Sequence, residues 1–217
     1  MNGLMMNMQL NLKTVIEHGT RVNGDVEIVS VTRDNPRHRT TYKKAFERAN
    51  QLASAMQAWG LEQGDRIATL AWNDYRHFET YYAVSCSGYV THTINPRLFP
   101  EQLVYIINHA DDKYVFLDAD FVPLVEKIAD QCPGVKGYVV MINQEGMPDT
   151  SLPNAICYEA LVDSAAADYV WPEMDENAAC ALCYTSGTTG NPKGVLYSHR
   201  STILHAYAGM CADVMGI

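Results

Sequence analysis

No stretch of the sequence stays apolar for long enough to span a bilayer. The N-terminal MNGLMMNMQLNLK is rich in methionine, yet it has no charged lead-in, no continuous apolar core and no small-residue cleavage site. It does not read as a secretory signal. Positive charge is in deficit: 16 Lys and Arg stand against 25 Asp and Glu, a formal charge of −9. Nucleic-acid binders usually carry a basic face, so no nucleic-acid partner is expected. A polyphosphate ligand is not excluded, because it needs only local donors. Also absent are a paired-carboxylate site, a Gly-x-Ser-x-Gly nucleophile elbow, internal repeats, low-complexity tracts and charge blocks.

Cysteine is limited to Cys86, Cys132, Cys157, Cys180, Cys183 and Cys211, scattered through mostly apolar stretches. That pattern predicts reduced core thiols in a cytoplasmic protein. Cys180 and Cys183 form a CxxC, but NAACALCYTS reads as a buried strand, on which residues three apart face opposite ways. No second CxxC or nearby histidine pair completes a zinc site.

What is present is ordinary for a globular chain: 217 residues, 47% hydrophobic and 19% charged. That is enough for one large domain, or a domain and a half, with a proper core. Strand and helix signals alternate. Strands are predicted over residues 25–31, 65–72, 89–95, 113–118 and 136–142. Helices are predicted over 41–59, from a cap at Asn73 or Asp74 through to Gly88, from Pro100 through PEQLVYIINHA, over 121–131 and over 158–166. Phe46, Ala49, Ala53 and Met56 mark the buried stripe of the first of these helices, and Gly60 its stop. A polar loop, NQEGMPDTSLPN, follows residue 142. The alternation predicts an α/β fold, with mostly parallel sheets and crossover helices.

The last part carries the chemistry. ACALCYT is an apolar strand, SGTTGNPKG a loop, VLYSH a second strand and RSTILHAYAGMCADV a helix running to the end. Glycines let backbone amides approach an anion, and successive amides form a nest for phosphate oxygens. Ser186, Thr188 and Thr189 add hydroxyls and Lys193 a charge. A glycine-rich loop at the end of a strand in a parallel sheet is where such folds bind ligands. On composition alone, a mobile surface loop or hairpin turn reads equally well. The segment is not a Walker A loop: Gly190 follows Gly187 too soon, Gly194 stands where a hydroxyl would follow the lysine, and the next element is a strand.

YTSGTTGNPKGV resembles the signature of the adenylate-forming superfamily of acyl-CoA synthetases, luciferases and adenylation domains, and fits at every specified position. TYKKAFERANQLASAMQAWGLEQGDRIATLAWN and GYVTHTINPRLFPEQLVYIINHADDKYVFLD are similar to segments of medium- and long-chain fatty acyl-CoA synthetases and methylmercaptopropionate-CoA ligases. The likeness runs from about Asn11 to the last residue. It implies that residues 1–217 are the N-terminal part of a large adenylation domain. It implies a two-step ligase, in which ATP and a small-molecule carboxylate, most like a fatty acid, give an acyl-adenylate and pyrophosphate. Coenzyme A then gives the thioester and AMP. Methylthio, aryl and amino acids are the other carboxylates to weigh, and a non-catalytic nucleotide-binding or interaction piece is the rival of another class.

The same resemblance makes Thr185, Ser186, Gly187, Thr188, Thr189, Gly190, Lys193 and Gly194 the ATP-binding set. Lys193 is its catalytic member, and Thr185 the ligand of a magnesium ion. Family members run to about 500 residues or more. Their adenine and ribose contacts, a Y-G-x-T-E segment and a small C-terminal domain with its own lysine lie further on, so the 217 residues alone are expected to be inactive. Peripheral membrane contact and a homodimer stay open. His199 matches a histidine common in the family, and a structural role is favoured over a catalytic base. His92, His109, Trp72, Tyr81 and Tyr82 read as structural, and RDNPRHR as a solvated turn.

Overall fold

The computed structural model describes residues 1–185 and 191–216. Helix α1 (Leu12–Asn23) leads into an antiparallel pair, β1 (Glu27–Ser30) and β2 (His38–Thr41). Helix α2 (Tyr42–Met56) starts where the Thr41 hydroxyl accepts the Lys44 amide, and its chain reverses at Gly60, with φ of 63°. Strand β3 (Arg66–Leu70) precedes α3 (Tyr75–Cys86), which Asp74 caps by accepting from the His77 amide. Strand β4 (Val90–Thr93) leads to α4 (Pro100–Ala110), with proline in its first turn. Next come β5 (Asp112–Asp118), the short α5 (Val122–Val125), β6 (Gly137–Met141), β7 (Ala155–Cys157) and α6 (Tyr158–Asp163). The chain then forms β8 (Ala179–Thr185), β9 (Lys193–Ser198) and α7 (His199–Met210).

Seven strands make one sheet in the order β7-β6-β5-β3-β4-β8-β9. Every neighbouring pair is parallel except β8 with β9. The α/β class is as expected. Apolar side chains alternate across the central strands and feed two cores. Ala68, Val115, Leu117 and Val140 face α4 and α5, while Ile67, Phe116, Val139 and Met141 face α2, α3 and α6.

Three expectations need correction. The helix over 121–131 is α-helical only at Val122–Val125, with 3₁₀ turns on both sides. Its buried residues Val122, Val125 and Ile128 recur every three positions, the period of a 3₁₀ helix, and the amides of Lys127 and Ile128 bond three residues back. Second, β8 is not buried on both faces: Cys180 and Leu182 are covered, and its other described residues are not. Third, RDNPRHR is not merely a solvated turn. Asp34 sits in a bidentate pair with Arg76 (2.6 and 3.1 Å), and the His38 ring stacks on Tyr75 at 3.6 Å.

Arg76 belongs to a network on the helical side. Its Nε donates to Glu159 (2.7 Å), which also accepts from Tyr75 Oη and from Arg48. Arg48 Nε donates to Glu79 (2.8 Å), whose other oxygen accepts from Tyr158 Oη (2.8 Å). Arg76 and Glu79 are 4% and 0% exposed, so each needs its partner. Arg76→Ala should therefore cost about 3–5 kcal/mol, read from urea unfolding. Partial burial pushes the Asp34 carboxyl up, but hydrogen bonds from Arg76 and Thr32 and the Arg76 charge outweigh it and hold it far below the usual carboxylate range. A depressed carboxylate adds stability that is present above its unfolded value and lost as pH falls below it. The stability gap between the wild type and Asp34→Asn should be flat near neutrality and shrink below about pH 4.

Candidate functional site

The signature lies on β8, β9 and the segment between them. In the antiparallel ladder Leu182 faces Leu196, Cys183 faces Val195, Tyr184 faces Gly194 and Thr185 faces Lys193. Because β8 is also parallel to β4, the end of β8 at Thr185 lies at the carboxyl edge of the parallel strands. That is the edge at which open α/β sheets bind ligands. Thr185, Lys193 and Gly194 are all exposed there. The sequence reading placed Lys193 and Gly194 in the loop. They are instead the first two residues of β9, held by pairing to β8. Ser186, Gly187, Thr188, Thr189 and Gly190 lie outside the described residues.

Gly194 has a packing reason of its own. A Cβ there would lie 3.2 Å from Tyr184 Cζ and 3.2 Å from Leu182 Cδ1, so the Tyr184 ring lies across this glycine. Tyr184 Oη is 2.6 Å from His109 Nδ1, and its ring meets His92 with centroids 5.1 Å apart. His92 is itself tied to Asp112 through Nδ1 and Oδ2 at 2.8 Å, both side chains fully buried. Burial, and then the Asp112 charge, push the Tyr184 phenol up, so it stays protonated in its hydrogen bond with His109.

His199 is structural. Its ring is buried and Nδ1 accepts the Leu12 amide at 3.3 Å, joining α1 to the start of α7. Burial lowers its pKa and keeps it neutral. Tyr82 packs edge-on against Phe46 with centroids 5.1 Å apart, as a core aromatic should. Thr185 brings no carboxylate or histidine partners, and no group of three or more such ligands assembles a metal site among the described residues. Its hydroxyl can contribute one hard oxygen to a cation held mainly by phosphates.

Sequence reasoning missed a second feature. A cavity of about 370 Å³ opens at the carboxyl ends of β3, β5 and β6, lined in part by Trp72, Asp74, Asp118, Asp120 and Arg33. Asp118 accepts the Trp72 amide, yet burial still pushes its carboxyl up to about 6. The signal was present as AWND just after one apolar strand and LDAD across the end of another.

The AMP-binding enzyme family matches residues 17–216. The chain belongs to that family. It is 50% identical over 216 residues to a 3-methylmercaptopropionyl-CoA ligase of Ruegeria lacuscaerulensis, with all of this chain and 40% of the relative covered. It is 48% identical over 217 residues to a medium-chain-fatty-acid–CoA ligase of Ectopseudomonas oleovorans, with the same coverage. The chain thus spans about 40% of the length of these relatives. The solved structure of a long-chain-fatty-acid–CoA ligase from Archaeoglobus fulgidus superposes with a TM-score of 0.82 at 20% identity, over 97% of this chain and 40% of that one. At that identity it attests the fold. No helix among the described residues is long and apolar enough to cross a membrane.

All six cysteines are free. Cys180 and Cys183 have separate surroundings: Cys180 Sγ lies 3.4 Å from the Tyr197 carbonyl, and Cys183 Sγ 3.2 Å from Thr93 Oγ1. Burial pushes the Cys86 and Cys180 thiols up, and takes Cys132 to about 11. A thiol reagent should therefore label exposed Cys211 first in the folded protein, and all six in denaturant without reductant. A shortfall of two in denaturant would reveal a disulfide.

Proposed function

We propose that this chain is the N-terminal part of the large domain of an AMP-forming acyl-CoA ligase, and that β8, β9 and the residues between them bind the phosphates of ATP. The observation that carries this is the placement of the signature. Thr185 and Lys193 form the outermost pair of an antiparallel ladder, exposed, at the ligand-binding edge of a parallel sheet. Apolar side chains exposed on β9 (Leu196, 61%) and α7 (Tyr207, 61%) support a large domain that continues beyond these elements.

In this reading a carboxylate oxygen attacks the α-phosphorus of ATP and pyrophosphate departs. The thiol of coenzyme A then attacks the acyl carbonyl and AMP departs. Lys193 contributes a fixed positive charge where charge builds on the leaving pyrophosphate. Pairing to Thr185 limits how far its backbone can move, so little ordering is left for the moment of reaction. The Thr185 hydroxyl offers a hard oxygen to magnesium, which when bound neutralises phosphate charge. The substrate proposed is an unbranched aliphatic carboxylic acid. That class includes both fatty acids and the methylthio acid named for the first relative.

Two measurements on the longer protein test the proposal. Lys193→Ala should slow carboxylate-dependent pyrophosphate exchange roughly thirty- to a thousandfold, the loss of one charge-assisted phosphate contact. Its stability should stay within about 0.5 kcal/mol of wild type, because the side chain is exposed. An unchanged exchange rate removes the phosphate role. A panel of aliphatic, methylthio, aryl and amino acids should give the highest kcat/KM with an aliphatic or methylthio member, and an aryl or amino acid optimum would displace the substrate reading.

A further inference from the structure

We infer that Tyr184 and His109 are positioning residues that clamp the mouth of the β8–β9 pair and fix where Lys193 stands. This deepens the phosphate-binding role proposed above and rests on it.

The geometry is specific. Thr185 and Lys193 form the outermost rung of the ladder, and both are exposed. A terminal rung with no covering side chains opens readily, since local opening costs least where burial is least. One rung inward the situation changes. The end of the Tyr184 ring lies over Gly194, where a Cβ would come within 3.2 Å of Cζ and 3.4 Å of Oη. An aromatic side chain over a cross-strand glycine covers backbone that would otherwise face water.

The ring is held in three ways. Below it is Gly194. Beside it, tilted by 46°, is the His92 ring, anchored by buried Asp112. At its tip the phenol meets His109 Nδ1 at 2.6 Å, a short and well-formed hydrogen bond. His109 is in the last turn of α4, and its ring stacks on Tyr105 with centroids 5.3 Å apart, which limits its rotation. A rigid helix therefore holds, through one phenol, the strand position next to Thr185 and opposite the residue after Lys193. Successive side chains on a strand face opposite ways, so Tyr184 works from the α4 side and leaves the other side of the Thr185–Lys193 rung for ligand.

The test has two arms. In this 217-residue chain, Tyr184→Phe removes only the hydroxyl, and His109→Ala removes its partner together with the ring that stacks on Tyr105. Each should raise hydrogen–deuterium exchange at the amides of residues 193–195 several-fold with little change in Tm, and the double variant should be no worse than His109→Ala alone, because that variant has already lost the bond. His109→Asn, which keeps an acceptor near the same place, should restore protection. In the longer ligase the same variants should lower kcat for adenylate formation about ten- to a hundredfold, with the KM for the carboxylate unchanged. Unchanged exchange in Tyr184→Phe and His109→Ala would show that there is no clamp. Raised exchange with unchanged kcat would show that the clamp does not position Lys193, and would overturn the inference in its functional half. If the wild-type ligase forms no adenylate at all, the proposed function falls instead, while the exchange arm still decides whether the clamp exists.

Discussion

The constraint on which the fold rests is the pairing of charges that its own packing removes from water. Arg48, Arg76, Glu79 and Glu159 sit between α2, α3 and α6, and Asp34 reaches them from the segment between β1 and β2. The cluster holds three carboxyl groups against two guanidiniums, so fully ionised it carries one excess negative charge. Burial resolves part of that imbalance by pushing the Glu79 carboxyl up to about 7, even against the Arg48 and Tyr158 donors. A buried ion cluster is poor evidence for high stability, because a well-packed apolar replacement often does as well. It is good evidence for a fixed arrangement, since no member can leave without stranding another. Asp34 also accepts the amide of Asn143, just past the end of β6, so the network pins the carboxyl edge of the sheet as well as the helices.

The hairpin obeys a different rule. It lies on the far side of β3 and β4 from β5 and β6, and is held by backbone pairing, by the buried Cys180 and Leu182, and by the Tyr184–His109 contact. Ionic packing specifies the scaffold, while a few directional contacts specify the signature strands. This division would suit the proposed phosphate site, because a guanidinium cluster beside it would compete for the phosphates, whereas a phenol would not.

Much of this architecture was readable from the sequence because the central strands are short apolar runs between turn signals, and because signals for helix ends stood at Asn73 or Asp74, Gly60 and Pro100. What escaped was structure held mainly by distant partners. Helix α1 buries only Ile16, β2 is the polar HRTT, and β7 is three residues long. Each is fixed by partners distant in sequence, as when His199 accepts the Leu12 amide. At the site, the residue types and their chemistry were evident. The extension of β9 back to Lys193 was not, because proline and glycine either side of the lysine imitate a loop.

Gly194 shows why composition alone misleads at such a site. Three glycines from Tyr184 to Gly194 invite one explanation, backbone approach to phosphate. Gly194 needs no such explanation: it lies in a regular strand, outside the positive-φ positions, and what its missing side chain admits is the ring of Tyr184. Without that ring the last rung would have nothing behind it on the α4 side. A single signature thus combines residues that would meet the ligand with residues that hold their neighbours still, and the two kinds separate only when the strand register is known. Two signature positions one residue apart on the same strand, Lys193 and Gly194, then face opposite sides of the sheet and answer to different physics: one to charge, the other to the shape of a tyrosine.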